Sequence, residues 1–149
     1  MNNTDIENLY KKIKRDFFSL RNGILADSLK KSYSQDKIIF GLNAPQFMDL
    51  AKFYPKNLEL AGTLWNDKQC RESRILSLYL MPSEIIDKTA VINMIKDVDS
   101  YEEAEIMAFR LLRHLPFAKA LYDELSSESL PSPYSVYCMQ MFKRNLDQI

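Results

Sequence analysis

The sequence is poor in glycine, with three in 149 residues, and contains one histidine. Few glycines leave little material for tight β-hairpins, and neither GxGxxG nor GxxxxGK[ST] occurs, which excludes the glycine-loop nucleotide-binding classes. No apolar run reaches the roughly 18 residues of a membrane helix. The start, "MNNTDIENLYKK", lacks the apolar region of a signal peptide. We therefore expect a cytoplasmic protein without membrane contact.

Cysteine is also scarce, and its placement argues against metal chemistry. Cys70 and Cys138 lie far apart, no CxxC is present, and His114 alone cannot complete a zinc site with them. Both cysteines stand among apolar residues, where a thiol behaves as a small core hydrophobe. The sequence predicts no metal site and no cofactor.

Charge of either sign is not in excess, because 20 basic and 20 acidic residues cancel. The overall balance gives no support to nucleic-acid binding. The densest acidic run, "DVDSYEEAE" at residues 97–105, would repel a phosphate backbone unless arginines intervened.

What the sequence does contain is apolar residues at helical spacing. A capping box at Thr4 and Glu7 predicts a first helix that stops near Gly23. Asn43 with Pro45 predicts another helix start. "SQDKIIFGLNAP", residues 34–45, is typical of a connection rather than a strand. Further helices are predicted at about 24–33, 45–54, 57–66, 69–81, 83–96, 100–115, 117–126 and 134–147.

These segments pair with a period of somewhat over thirty residues, at 57–81, 83–115 and 117–147. An all-helical repeat of that length is typical of an α-solenoid, and an irregular helical bundle is the alternative. We predict an all-α fold, an α-α superhelix of antiparallel helix pairs, in one domain over residues 1–149.

Three stretches resemble the AlkD-type DNA alkylation repair glycosylase family, whose fold is a superhelix of HEAT-like repeats. They are "IIFGLNAPQFMDLAKFY", "NLELAGTLWNDKQCRESRILSLYLM" and "MIKDVDSYEEAEIMAFRLL", and the resemblance covers about residues 30–125. It implies a DNA-interacting protein of base excision repair that, if active, is a DNA glycosylase releasing N3- or N7-alkylated purines from duplex DNA.

The resemblance also implies site residues. Tyr101 stands where the family has a tryptophan of the catalytic site, and Glu105 stands where it has an essential aspartate. An alkylated purine is cationic, and the sugar develops positive charge as the glycosidic bond breaks. A carboxylate stabilises that charge and aromatic faces attract the cation.

The chain departs from the family pattern in several places. Glu105 is one methylene longer than aspartate, and Tyr101 replaces an indole. "SPYSVYCMQ", residues 132–140, has no arginine where the family pattern resembles W-x-R-R with a DNA-holding arginine. The resemblance therefore implies a shortened, divergent relative and leaves catalytic competence open.

Plainer interpretations stand beside these. Ser100 and Glu103 form a capping box, and acidic residues favour a helix start, although Glu105 lies one turn further in.

The arginines are equally ambiguous. Arg71 and Arg74 flank Glu72, so they suit either intramolecular ion pairs or phosphate contacts. Arg110 and Arg113 are further candidates for DNA contact, although Arg110 does not share a helix face with Tyr101 and Glu105.

The sequence is compatible with two functions. The first is a DNA-binding relative of the repair glycosylases. The second is a HEAT-like scaffold for a protein partner without enzymatic activity, since a solenoid binds peptides as readily as nucleic acid.

Overall fold

The computed structural model describes residues 2–148, and it confirms the all-α fold class. These residues form nine α-helices and two short 3₁₀ turns, and their isolated β-bridge joins Ile38 to Cys70 in parallel. No helix within this range is long and apolar enough to cross a membrane. The stacking of helix pairs into a superhelix stays a prediction.

The chain divides into two compact units after Met81. A single domain over residues 1–149 stays a prediction. The first unit contains α1 to α5 and a 3₁₀ turn at Lys30–Ser32. The second contains α6 to α9 and a 3₁₀ turn at Leu112–His114. The helices are, in order, Asn3–Leu20, Gly23–Leu29, Ala44–Phe53, Leu58–Asn66, Arg71–Leu80, Lys88–Asp97, Tyr101–Arg110, Ala118–Leu125 and Pro133–Asp147.

Polar side chains cap most of the helix starts, and one cap corrects the sequence prediction. Asn43 forms the predicted start of α3, where its side chain and that of Gln46 exchange hydrogen bonds with each other's backbone. In α1 the capping box is formed by Asn2 and Asp5, so the expected box at Thr4 was wrong by two residues.

Gly23 was predicted to end α1, but it is the first residue of α2. The side chain of Asn22 accepts hydrogen bonds from the backbone N–H groups of Ile24 and Leu25, at 3.0 and 3.1 Å. An asparagine cap of this kind starts a new helix at once, which the position of the glycine alone did not reveal.

Three predicted helices are shorter in the structure. The helix expected over 24–33 ends at Leu29, and that over 100–115 ends at Arg110, each being followed by a 3₁₀ turn. The helix expected from residue 83 begins at Lys88, because Asp87 is its cap and accepts a hydrogen bond from Ala90 N–H. Periodicity locates the apolar face well but not the point where a cap interrupts it.

A buried carboxylate at the start of α5 holds the segment at residues 40–42 by hydrogen bonds. Glu72 is fully buried at the start of α5. Its carboxylate accepts hydrogen bonds from the backbone N–H groups of Phe40, Gly41 and Leu42, at 2.9, 3.0 and 3.3 Å. Its other partner is Arg71, whose Nη1 lies 2.6 Å from Glu72 Oε2. A buried charge is tolerated when its lone pairs are satisfied in this way. The connection before α3 is thereby fixed to α5 without forming a strand.

Gly41 lies at the tightest point of this connection. Its φ of +92° is one that L side chains rarely adopt, and an added Cβ would lie 2.3 Å from the Asn22 carbonyl oxygen. A side chain at this position is therefore excluded both by conformation and by space.

We predict that Gly41→Ala destabilises the first unit by at least about 2 kcal/mol, because the strained φ and the backbone clash add. The matched control is Gly62→Ala, since Gly62 lies inside α4 with nothing near its missing Cβ. That control should be stabilising by about 0.5–1 kcal/mol. Urea unfolding followed by fluorescence of Trp65, the one tryptophan in the sequence, reports on the first unit. Equal changes in the free energy of unfolding for the two variants would contradict the claim that position 41 requires glycine.

The core of the second unit is built where α7 packs against α9. Met107 Sδ of α7 lies 3.8 Å from Cys138 Sγ of α9, and the Ser135 hydroxyl donates to the Ile95 carbonyl of α6 at 2.8 Å. Burial raises the pKa of the Cys138 thiol to about 12, and both cysteines are fully buried, as the sequence predicted. An inert core thiol is the result.

Candidate functional site

Tyr101 and Glu105 lie one turn apart on the outer face of α7. Tyr101 is 53% exposed and Glu105 is exposed as well, whereas Glu103 between them is fully buried. The Ser100 side chain accepts a hydrogen bond from Glu103 N–H at 3.0 Å, so the middle of the acidic run is the cap of α7. The run therefore contains two kinds of residue, a structural cap and an outward pair.

Helix α9 adds two more tyrosines to this pair. The ring centroids of Tyr101 and Tyr134 are 4.9 Å apart at an interplanar angle of 70°. Those of Tyr101 and Tyr137 are 5.1 Å apart at 84°. Edge-to-face pairs of this kind contribute about 0.5–1.5 kcal/mol each beyond their burial. We call Tyr101, Tyr134, Tyr137 and Glu105 the Tyr–Glu cluster.

A short hydrogen bond links the carboxylate to the rings. The Tyr137 hydroxyl donates to Glu105 Oε1 at 2.5 Å, which is within the range of a charge-assisted O–H···O⁻ bond. This bond is the main cause that raises the pKa of Tyr137 above its ordinary value, with a smaller contribution from burial. The positive charge of Arg144, seven residues further along α9, lowers the pKa of Tyr137 and so partly opposes the effect.

The sequence interpretation missed Tyr134 and Tyr137. Both lie in "SPYSVYCMQ", which was considered only for its lack of arginine. Their spacing of three residues places them on one face of a helix. Each is followed directly by a buried residue, Ser135 and Cys138, so the signal for an outward aromatic face was present.

The two arginines predicted from "RESR" are in the interior of the first unit. Arg71 is 4% exposed, and besides its pairing with Glu72 it donates to the Leu42 carbonyl at 3.1 Å. Arg74 is 0% exposed, donates to the Trp65 carbonyl at 3.0 Å, and its guanidinium carbon lies 3.5 Å from the Trp65 ring centroid. The Arg71–Glu72 pair is the ion pair of the plainer interpretation, whereas Arg74 contacts a carbonyl and an aromatic ring. Neither buried guanidinium offers open surface to a phosphate.

The other two predicted arginines lie around Phe109 rather than in the Tyr–Glu cluster. The guanidinium carbons of Arg110 and Arg113 are 5.6 and 3.9 Å from the Phe109 ring centroid. Nine residues at 100° each place Arg110 about 180° around α7 from Tyr101. Arg113 also donates to His114 Nε2 at 3.3 Å. The structure thus brings Tyr101 and Glu105 together and keeps Arg110 on another face.

The Tyr–Glu cluster has groups that suit the binding of an organic cation rather than a metal ion. Ring faces and a carboxylate both attract positive charge. Over residues 2–148 there is no group of three or more His, Cys, Asp and Glu side chains that could hold a metal ion. A flat organic cation fits this set of groups better than an inorganic ion does.

No family model, no curated protein and no solved structure matches this chain. A function for this chain is therefore inferred from its residues and their geometry.

We predict that Glu105→Gln lowers the pKa of Tyr137 toward the ordinary value of tyrosine, because the carboxylate that favours the protonated hydroxyl is gone. A pH titration of the tyrosine ring carbons by NMR measures this. Glu128→Gln, an exposed carboxylate elsewhere in the second unit, is the control and should leave the Tyr137 titration in place. A Tyr137 pKa that is the same in Glu105→Gln and in the unsubstituted protein would show that the hydrogen bond does not form.

Proposed function

We propose that the Tyr–Glu cluster binds the cationic base of an N3- or N7-alkylated purine in duplex DNA. On this proposal the chain is a DNA-interacting relative of the alkylpurine glycosylases that its sequence resembles. The observation that carries the proposal is the meeting of Tyr101 and Glu105 with two further tyrosine rings on an exposed face.

Positive charge is the feature by which such a base differs from its undamaged counterpart. Cation–π attraction contributes about 0.5–1 kcal/mol at exposed sites and about 2 kcal/mol or more when desolvated. Stacking of a base on an aromatic side chain contributes about 1–3 kcal/mol and does not depend on charge. The cluster therefore supports binding of any flat base, with an added preference for a cationic one through Glu105.

Base release would use the same groups in a defined way. The glycosidic C–N bond breaks, and the purine leaves with the bonding electron pair and loses its positive charge. Water then adds to the cationic sugar carbon and gives up one proton to the solvent. Glu105 would stabilise the cationic sugar while Tyr101 packs beside the lesion. Binding and release are separate steps, and the proposal requires the first.

A protein-interaction scaffold is the second candidate, and two observations favour it. The burial of Arg71 and Arg74 removes two of the four predicted phosphate contacts. The first unit also exposes large apolar side chains, with Phe53 at 81% and Phe18 at 57%. Phenylalanine is one of the residue types enriched in protein–protein interfaces.

The test compares three labelled duplexes by fluorescence anisotropy at 50 and 200 mM salt. One contains 7-methylguanine, one guanine, and one the uncharged isostere 7-methyl-7-deazaguanine. We predict about tenfold tighter binding of the cationic duplex than of the isostere, which corresponds to about 1.4 kcal/mol. Glu105→Gln should remove that preference, and Glu128→Gln should retain it.

Mass spectrometry of the same samples detects any free purine, so binding and release are recorded separately. Equal affinity for all three duplexes would contradict recognition of the cationic base. Absence of duplex binding even at 50 mM salt, where phosphate contacts are strongest, would favour the scaffold.

A further inference from the structure

We infer that Tyr137 is a positioning residue, whose neutral hydroxyl holds the Glu105 carboxylate in place for a cationic ligand without cancelling its charge. This inference deepens the proposed function and rests on it. It assigns a role to a residue that the resemblance does not supply.

The need for such a residue follows from the side chain of Glu105. Glutamate has three rotatable side-chain bonds, and an exposed glutamate on a helix samples several rotamers. Binding energy would otherwise be lost in ordering it. The 2.5 Å hydrogen bond from α9 holds Oε1 beside Tyr137 and reduces that freedom before the ligand arrives.

Tyr137 organises the aromatic side of the cluster as well. Its ring centroid lies 5.1 Å from that of Tyr101, so the same residue contacts both the carboxylate and the outermost ring. The positions of Tyr101 and Glu105 relative to each other are thus set by a third residue on another helix. A change of geometry as small as about 1 Å is enough to alter recognition at such a site.

The chemical type of the donor matters. An arginine or lysine in the place of Tyr137 would also hold the carboxylate, but its positive charge would cancel the attraction for a cationic base. A phenol is uncharged while protonated, and a carboxylate retains free acceptor sites after one hydrogen bond. The Tyr137–Glu105 pair therefore keeps its negative charge, and the tyrosine rings add no positive charge.

The test separates positioning from structural support. Tyr137→Phe removes the hydroxyl and keeps the ring against Tyr101. We expect its affinity for the duplex with the uncharged isostere to stay within about twofold of the unsubstituted protein. Its preference for the 7-methylguanine duplex over the isostere should fall from about tenfold to about threefold or less, since one hydrogen bond to a charged group is lost. A merely structural role would weaken binding to both duplexes equally.

The matched control is Tyr122→Phe, which removes a hydroxyl from a tyrosine of α8 whose ring packs on Phe142 outside the cluster. It should retain the full preference. The double variant Tyr137→Phe/Glu105→Gln should show no greater loss than Glu105→Gln alone, because both substitutions act on the same contact.

Each outcome is informative about one level of the account. If the unsubstituted protein prefers the cationic duplex and Tyr137→Phe retains that preference, the positioning role is overturned and the proposed function stands. If the unsubstituted protein shows no preference, the proposed function fails and the inference fails with it. Equal weakening toward both duplexes in Tyr137→Phe also overturns the positioning role.

Discussion

The candidate site depends on the packing of α7 against α9. The inner faces of these helices meet through buried residues, including Met107 and Cys138, whose sulfur atoms are 3.8 Å apart. Ser135 fixes α9 further by its hydrogen bond to the Ile95 carbonyl. Close-packed interiors of this kind allow little sliding. The residues at the outer edge of the contact are therefore held in a fixed register, which brings Tyr101 to Tyr134 and Tyr137.

Aromatic and acidic groups dominate that edge, and this determines what it attracts. Three tyrosine rings and the Glu105 carboxylate lie there, and Tyr137 donates a hydrogen bond to that carboxylate without bringing a positive charge. The guanidinium groups of Arg71 and Arg74 serve a different purpose, because they are buried in the first unit against Glu72 and Trp65. The buried arginines thus belong to a structural network in the first unit, whereas the Glu105 carboxylate lies exposed on the second.

Local rules predicted much of this structure. The asparagine and glutamine that exchange hydrogen bonds at the start of α3, and the serine before α7, follow from sequence neighbours alone. The shared face of Tyr101 and Glu105 follows from their spacing of four residues. Helix ends were less predictable, because the Asn22 side chain accepts hydrogen bonds from Ile24 and Leu25 N–H and so caps a new helix that begins at Gly23.

Long-range contacts account for what the sequence did not reveal. Tyr134 and Tyr137 lie more than 30 residues after Tyr101, and only the pairing of two helices shows that they meet. The burial of Arg71 depends on a backbone segment about 30 residues earlier, whose N–H groups donate hydrogen bonds to Glu72. Neither partnership leaves a local pattern, so the sequence left both phosphate contact and ion pairing open for these arginines.

The most direct test of the central claim is an NMR titration of the tyrosine ring signals with 7-methylguanosine, with guanosine at the same concentration as the comparison. No phosphate contact contributes in this measurement, so the cluster is tested by itself. The account predicts shifts of the Tyr101, Tyr134 and Tyr137 signals that saturate with the cationic nucleoside at much lower concentration than with guanosine. Shifts of equal size with both nucleosides, or shifts at other tyrosines instead, would contradict the claim that this surface recognises positive charge on a flat base.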